Sequence, residues 1–177
     1  IIAAGGTASV TTVSGTETVL GKDIAGIILN QQIVSSGGVT SAVVVSSGGT
    51  QTVLTGGTAS GTRISSGGLE LVSSGGLATA TIISGGGRQT LAAGGSASGT
   101  IVSSGGTQTL LSGGSASGTV VSSGGQLLNS GGFESATSLT AGATETIVAG
   151  GSANGTVVSS GGTEIVSSGG VASGTIV

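Results

Sequence analysis

The chain has no cysteine, proline, histidine, tryptophan, tyrosine or methionine, and a single phenylalanine in 177 residues. Without cysteine no disulfide framework can form, which is unusual for a secreted domain. The lack of thiols does suit a chain that must cross an oxidising compartment unfolded. Without histidine or cysteine, the nearest bases to any serine are Lys22, Arg63 and Arg88, and no serine, base and acid constellation can be assembled from them. Charge is nearly missing as well: charged residues make up 5% of the chain, with a net charge of −3. Three scattered cations and one aromatic ring exclude nucleic acid as a partner, since phosphates need clustered Lys and Arg and bases need rings to stack on. Asp23 is the only aspartate, which excludes calcium binding of the nonapeptide-repeat kind, where an Asp recurs after the glycines. Apolar runs such as Ile27-Ile28-Leu29 are far shorter than the ~20 residues a membrane helix needs. No signal peptide opens the sequence, and it starts and stops within a repeat, as expected of an excised part of a longer protein.

What is present is glycine, serine, threonine and small aliphatics: 40 glycines, and a hydrophobic fraction of 36%. Gly and Ser in such amounts usually make a flexible linker. Here, however, Val, Ile and Leu recur at fixed places, which a disordered tract does not need. The period is nineteen: Gly48, Gly67, Gly86, Gly105 and Gly124 form one series, and Gly37, Gly56, Gly75, Gly94 and Gly113 a second. One residue is then dropped, and the series resume through Gly142 and Gly161 and through Gly131, Gly150 and Gly169. In the unit Ser103 to Val121, Thr107–Leu111 is expected to be one strand, Ser115–Val121 a second that Gly118 bends, and the glycine pairs the turns between them. Two short strands cannot bury a face alone, so the units must stack. The fold class is therefore all-β, a parallel β-helix (solenoid) of about nine coils, one per nineteen-residue repeat. It forms a single unit over residues 1–177, with shorter, irregular coils over 14–36 and regular repeats over 37–177. At ~4.8 Å per coil the rod is about 40 Å long, with raw β-edges at both ends.

Columns through the repeats assign the faces. Val13, Val45, Ile64, Ile83, Val102, Val121, Leu139, Val158 and Val177 form an inward apolar column, and Val19, Val53, Val72, Leu91, Leu110, Ile147 and Val166 the opposing wall. Thr62, Thr81, Thr100, Thr119, Thr137, Thr156 and Thr175 share the first column's face, where a threonine stack can hydrogen-bond along the axis. Ala59, Ala78, Ala97, Ala116, Ala153 and Ala172 form a small-residue column near a corner. Glu17, Gln51, Glu70, Gln89, Gln108, Glu145 and Glu164 should also point inward by spacing. A buried carboxylate stack is costly, so this column is expected at a corner with its head groups in water, an internal amide ladder being the alternative.

Two readings of this pattern carry little. Glu145 and Glu164 are neighbours in adjacent coils, but an acid pair for glycoside chemistry would need accompanying cations, and solvated corner glutamates are expected instead. The triplets Thr50-Gln51-Thr52, Thr107-Gln108-Thr109 and Thr144-Glu145-Thr146 suggest an ice-binding face, but Leu69-Glu70-Leu71 and Arg88-Gln89-Thr90 break the rank. The glycine turns carry more. Small hydroxyls without bulky neighbours stand there at Ser35, Ser36, Ser46, Ser47, Ser65, Ser66, Ser73, Ser74, Ser103, Ser104, Ser122, Ser123, Ser159, Ser160, Ser167 and Ser168. Serine favours turns because its hydroxyl bonds nearby backbone; a repeated, open hydroxyl is also a candidate acceptor for a transferase.

The run G-G-x-A-x-G-T-x-V followed by S-S-G-G-T-Q-T-x, from about Gly37 to the end, resembles the nineteen-residue repeat of the AIDA/TibA type of self-associating autotransporter adhesin. The resemblance implies a right-handed β-helical passenger, exported through the outer membrane by a separate barrel and displayed on the bacterial surface. It implies roles in autoaggregation, biofilm formation and host-cell adhesion or invasion, with identical passengers and a host receptor as partners. It implies no enzymatic activity and no cofactor or metal. It also implies that a heptosyltransferase modifies the turn serines, with Ser84, Ser112 and Ser130 as single-serine versions, and that turns carrying Ala92-Ala93, Ala141 or Ala149 stay bare. An unmodified self-associating rod is the alternative reading, and an ice-binding β-helix a further one.

Overall fold

The structure is a computed structural model that describes all residues, Ile1–Val177, and it contains strands and turns only. The strands form three parallel sheets that wind around one core. Sheet 1 has nine strands, from Thr16–Val19 to Thr163–Val166. Sheet 2 has ten, from Thr7–Ser9 to Val171–Ser173, and sheet 3 has nine, from Thr12–Val13 to Val157–Val158. Each coil therefore has three sides rather than two. The expected bent strand Ser115–Val121 is two strands, Ser115–Ser117 and Val120–Val121. The break falls at Gly118, whose φ of +62° turns the chain through a full corner in one residue.

Register follows the repeat: Gln51, Glu70 and Gln89 are direct partners in successive strands of sheet 1. Near the N-terminus the spacing contracts, with Thr7 opposite Lys22 and Thr16 opposite Gln31, yet all three sheets continue through this stretch. The shortening is absorbed in the corners, so Ile28 and Val34 keep their buried places in the apolar columns. The core is a thin prism of Val, Ile, Leu and Ala, in which Val53, Ile64, Ala78, Leu91 and Val121 are fully enclosed. At the C-terminal end Val166 and Val177 are exposed, because no coil stacks on them.

The Gln/Glu column does not reach water as expected. Gln32, Gln51, Glu70, Gln89, Gln108 and Glu145 are all 0% exposed. They form the internal ladder, and the threonine column serves it. Within one coil, Thr100 Oγ1 donates to Gln89 Oε1 (3.2 Å) and Thr119 Oγ1 to Gln108 Oε1 (3.1 Å). Between coils, Gln51 Nε2 donates to Gln32 Oε1 and Gln108 Nε2 to Gln89 Oε1, both at 2.7 Å. The threonines thus bond across the core to amides rather than along the axis to one another. A satisfied polar ladder removes the burial penalty that argued against it.

One coil breaks the ladder and compensates. Leu127 occupies the amide column, Asn129 the apolar column and Glu134 the alanine column. Asn129 Nδ2 donates to Glu134 Oε1 (3.1 Å) and to the Ser152 carbonyl (3.0 Å), and Thr137 Oγ1 donates to Glu134 Oε2 (3.3 Å). The dropped residue lies in this coil's next corner. Other corners from sheet 1 to sheet 2 close with a backbone bond, such as Gly114 N to Leu111 O at 2.9 Å. In the shortened corner Gly132 N bonds instead to Asn129 Oδ1, at 3.0 Å. The side-chain amide replaces the backbone acceptor that the deletion displaced.

Candidate functional site: the serine corners

Of the three corners in each coil, two carry the serines. The corner from sheet 1 to sheet 2 contains Ser35-Ser36, Ser73-Ser74, Ser112, Ser130 and Ser167-Ser168. The corner from sheet 3 to sheet 1 contains Ser46-Ser47, Ser65-Ser66, Ser84, Ser103-Ser104, Ser122-Ser123 and Ser159-Ser160. The third corner, from sheet 2 to sheet 3, is a single residue of positive φ such as Ala80, Gly99 or Gly118, and holds no serine pair. The serine pairs therefore line two ridges, both bordering sheet 1, while the third ridge has no pair and only single serines beside it, such as Ser98 and Ser117.

The two serines of a pair differ. The first remains in the inter-coil ladder, as where Ser103 N donates to Ile83 O and Ser122 N to Val102 O, each at 2.9 Å. Its carbonyl also accepts the closing bond of the turn, Gly106 N to Ser103 O at 2.9 Å. That pins the first serine against the coil beneath, and Ser35, Ser46, Ser65, Ser73, Ser84, Ser103 and Ser122 are only partly exposed. The second serine stands at the tip. Ser36, Ser47, Ser66, Ser74, Ser104, Ser112, Ser123, Ser160 and Ser168 are all exposed. At Ser36, Ser47, Ser66, Ser74, Ser104 and Ser123 the tip has φ between 43° and 53°. With the following glycine also left-handed, this is the two-residue turn of type I′.

The tips are locked to one another through the backbone: Ser66 N donates to Gly85 O (3.0 Å), Gly85 N to Ser104 O (2.9 Å) and Ser104 N to Ser123 O (3.1 Å). The side-chain hydrogen bonds near the corners come from other residues, among them the Thr55 hydroxyl to the Ser74 carbonyl. The corner serine hydroxyls take no part in them, so the usual reason for serine in a turn is not realised here. Equivalent hydroxyls recur at the strand spacing of ~4.8 Å. Ser159 and Ser167, first members of their pairs in the last coil described, are exposed, and Ser130 is partly exposed in the shortened corner.

Elsewhere the expectations change. Glu145 and Glu164 are register partners, but they point into the core and are not solvated corner glutamates. The outward threonines of sheet 1 are interrupted by Leu69 and Leu71, by Arg88, and by Gln126 and Leu128. A difference between the two serines of a pair was not visible in the sequence, where they look equivalent. The signal was the glycine that follows, because a serine before it can share its left-handed turn.

Comparisons with known proteins agree with this geometry. The family model described as adhesin of bacterial autotransporter system, probable stalk (AIDA), matches residues 33–87 and 74–125. The crystal structure of a TibA fragment, hyper-glycosylated in a reaction catalysed by TibC, is similar with a TM-score of 0.76 and 30% sequence identity. The similarity covers 99% of this chain and 77% of that one. No curated protein sequence matches at a significant level.

Proposed function

This chain belongs to the AIDA family of bacterial autotransporter adhesins, and from that premise we propose that it is a segment of the exported stalk whose serine corners accept O-linked heptose. The observation that carries the reading is the exposure of the tip hydroxyls on two of three ridges, six of them in the same left-handed turn and all free of internal hydrogen bonds. Along the ridge between sheets 3 and 1 the left-handed tip recurs in successive coils, at Ser47, Ser66, Gly85, Ser104, Ser123 and Ala141, so a transferase acting on one corner there meets the same backbone shape at the next. The protein is then the substrate of the chemistry and not its agent. Displayed on the outer face of the outer membrane, the modified rod would act in autoaggregation, biofilm formation and adhesion to or invasion of host cells.

Co-expression with a TibC-type heptosyltransferase should give intact masses spaced by one heptose. A single unmodified mass would contradict the acceptor role. Ala93 and Ala149 occupy tip positions on one ridge and Ala141 and Gly85 on the other, so the sugars should form an interrupted row.

One further observation favours self-association of identical rods. The outward column of sheet 3 is largely apolar, with Ile27, Ile101, Val120 and Val157 exposed, and no carboxylate faces outward on any sheet. The exposed cations, Lys22, Arg63 and Arg88, are few and scattered, with Arg63 alone in the sheet 3 column, so repulsion between rods is weak and they can pack side by side. Sedimentation velocity of the unmodified chain should show concentration-dependent association; a monomer at every concentration would remove this reading and leave the acceptor role intact.

A further inference from the structure

All three cations, Lys22, Arg63 and Arg88, are exposed, whereas Asp23, Glu70, Glu134 and Glu145 are buried. Two of these acids each leave one oxygen unpartnered inside the core: Glu70 Oε1 and Glu145 Oε1. A buried acceptor with no donor is costly unless it carries a proton and becomes a donor itself.

The ladder shows where that proton belongs at Glu70. Its Oε2 stands in for an amide oxygen, accepting Gln89 Nε2 at 2.6 Å and Thr81 Oγ1 at 3.0 Å. Its Oε1 therefore occupies the place of an amide nitrogen. In the coil before, that nitrogen is Gln51 Nε2, which donates to Gln32 Oε1 (2.7 Å) and Thr40 Oγ1 (3.1 Å) of the preceding coil. The matching acceptors for Glu70 are Gln51 Oε1, its register partner's oxygen, and the Thr62 hydroxyl beside it. Gln51 Oε1 receives Thr62 Oγ1 at 3.1 Å and no ladder amide. An unprotonated Glu70 would set two acceptors face to face.

At Glu145 the oxygen Oε2 accepts Thr156 Oγ1 at 3.4 Å, Oε1 has no donor, and the carboxyl lies against that of Glu134 in the coil before. Two carboxyl groups in contact are held together by a shared proton.

We propose that Glu70 and Glu145 are neutral carboxylic acids in the folded rod. Each donates its Oε1 proton to the preceding coil, Glu70 to Gln51 Oε1 and Glu145 to the Glu134 carboxyl, so that folding takes up two protons from solvent. The acids act as amide substitutes that keep the ladder continuous where glutamine is missing. The folded chain would carry a net charge of about −1 in place of the formal −3.

The electrostatics agree. Burial pushes the Glu70 carboxyl above its ordinary value of 4.5, and the groups facing it, Gln51, Gln89, Thr62 and Thr81, do not titrate. Burial first, then the neighbouring Glu134 and Glu164, pushes Glu145 up to about 10; Thr156 opposes this, and Leu127, its partner in the preceding strand, adds no charge. Both folded values lie above the unfolded ones. The contribution is therefore complete below about pH 4.5 and is lost as pH rises, through about 10 for Glu145. While a carboxyl stays protonated in the folded rod and is ionised in the unfolded chain, it lowers the folding constant about tenfold per pH unit. The rod is favoured by acid and weakened by alkali, the reverse of ordinary acid denaturation.

The test is the charge and the pH profile of Glu70→Gln and Glu145→Gln. In native electrophoresis at pH 7, Glu70→Gln should migrate with the unsubstituted chain, because one neutral group replaces another. In urea the same variant should differ by one charge, and Arg63→Gln should differ by one charge in both states. In urea titrations upward from pH 5, the unsubstituted chain should lose folding constant steadily, by up to about a hundredfold per pH unit while both carboxyls keep their protons, and either variant by no more than about tenfold. A native mobility shift of one charge for Glu70→Gln would overturn the proposal, as would an unsubstituted chain whose stability is flat or rises over this range. That last measurement decides the matter even if a variant fails to fold.

Discussion

Replacing Gly95 by alanine is expected to unfold the coil around it, at a cost of at least about 3 kcal/mol. A methyl group there would lie 2.5 Å from the Val72 carbonyl carbon, closer still to its oxygen, and 2.9 Å from Ser73 N. Those atoms belong to the backbone of the coil beneath, where Ser73 N is bonded to Val53 O and cannot step aside. The neighbouring type of glycine provides the control. Gly124, at φ +76°, has open space around it, so alanine there costs only the left-handed backbone penalty of about 1–2 kcal/mol. Ala143 occupies the matching place in one corner between sheets 3 and 1, so that ridge has one coil that accommodates a methyl. The ridge between sheets 1 and 2 has none, and this makes Gly95 the sharper test. Urea midpoints of the two variants, followed by circular dichroism, should differ widely. Equal midpoints would mean that the coils do not approach as closely as the structure has them.

The second large effect separates two glutamines that look alike in the sequence. Gln89→Leu should cost about 3–6 kcal/mol, because it strands the Thr100 hydroxyl and Gln108 Nε2 and removes a donor from Glu70, at ~1–3 kcal/mol per stranded group. Gln108→Leu should cost about 1–3 kcal/mol. Its neighbour in the next coil is Leu127, so only the Thr119 hydroxyl is stranded, and Gln89 Oε1 keeps Thr100. The difference in unfolding free energy between the two variants is the measurement. If Gln108→Leu proves as damaging as Gln89→Leu, the ladder does not run through the hydrogen bonds described.

Much of the rod could be read from residues alone. The nineteen-residue period carried the number of coils, and the alternation of Val, Ile and Leu with small polar residues carried the inner faces, down to Ile64, Leu91 and Val121. The three-sided cross-section could not be read, because one left-handed residue at Gly118, or at Ala80 in another coil, makes a full corner while the sequence around it still reads as one strand. The ladder was obscured by a conflict between two sound rules. Alternation placed Gln51, Glu70 and Gln89 inside, and the cost of burying polar groups placed them outside. The conflict disappears only when Thr62, Thr81 and Thr100, eleven residues further on in each case, are seen to bond across the core.

The compensation by Leu127, Asn129 and Glu134 was hidden for the same reason. Three exchanged columns look like three errors until the Asn129 to Glu134 and Gly132 to Asn129 bonds join them. The serine turns were visible as a composition. The division into a pinned first serine and a free second one needed the backbone of the corner, where the first is tied to the coil beneath and the second is left at the tip.

Site-resolved mapping of sugar on the co-expressed chain tests the account most directly. The ridge geometry expects heptose on Ser36, Ser47, Ser66, Ser74, Ser104, Ser112 and Ser123, with Ser35, Ser46, Ser65, Ser73, Ser103 and Ser122 largely bare. Sugar concentrated on the first serine of each pair, or spread over Ser98 and Ser117 beside the third corner as readily as over the tips, would contradict it.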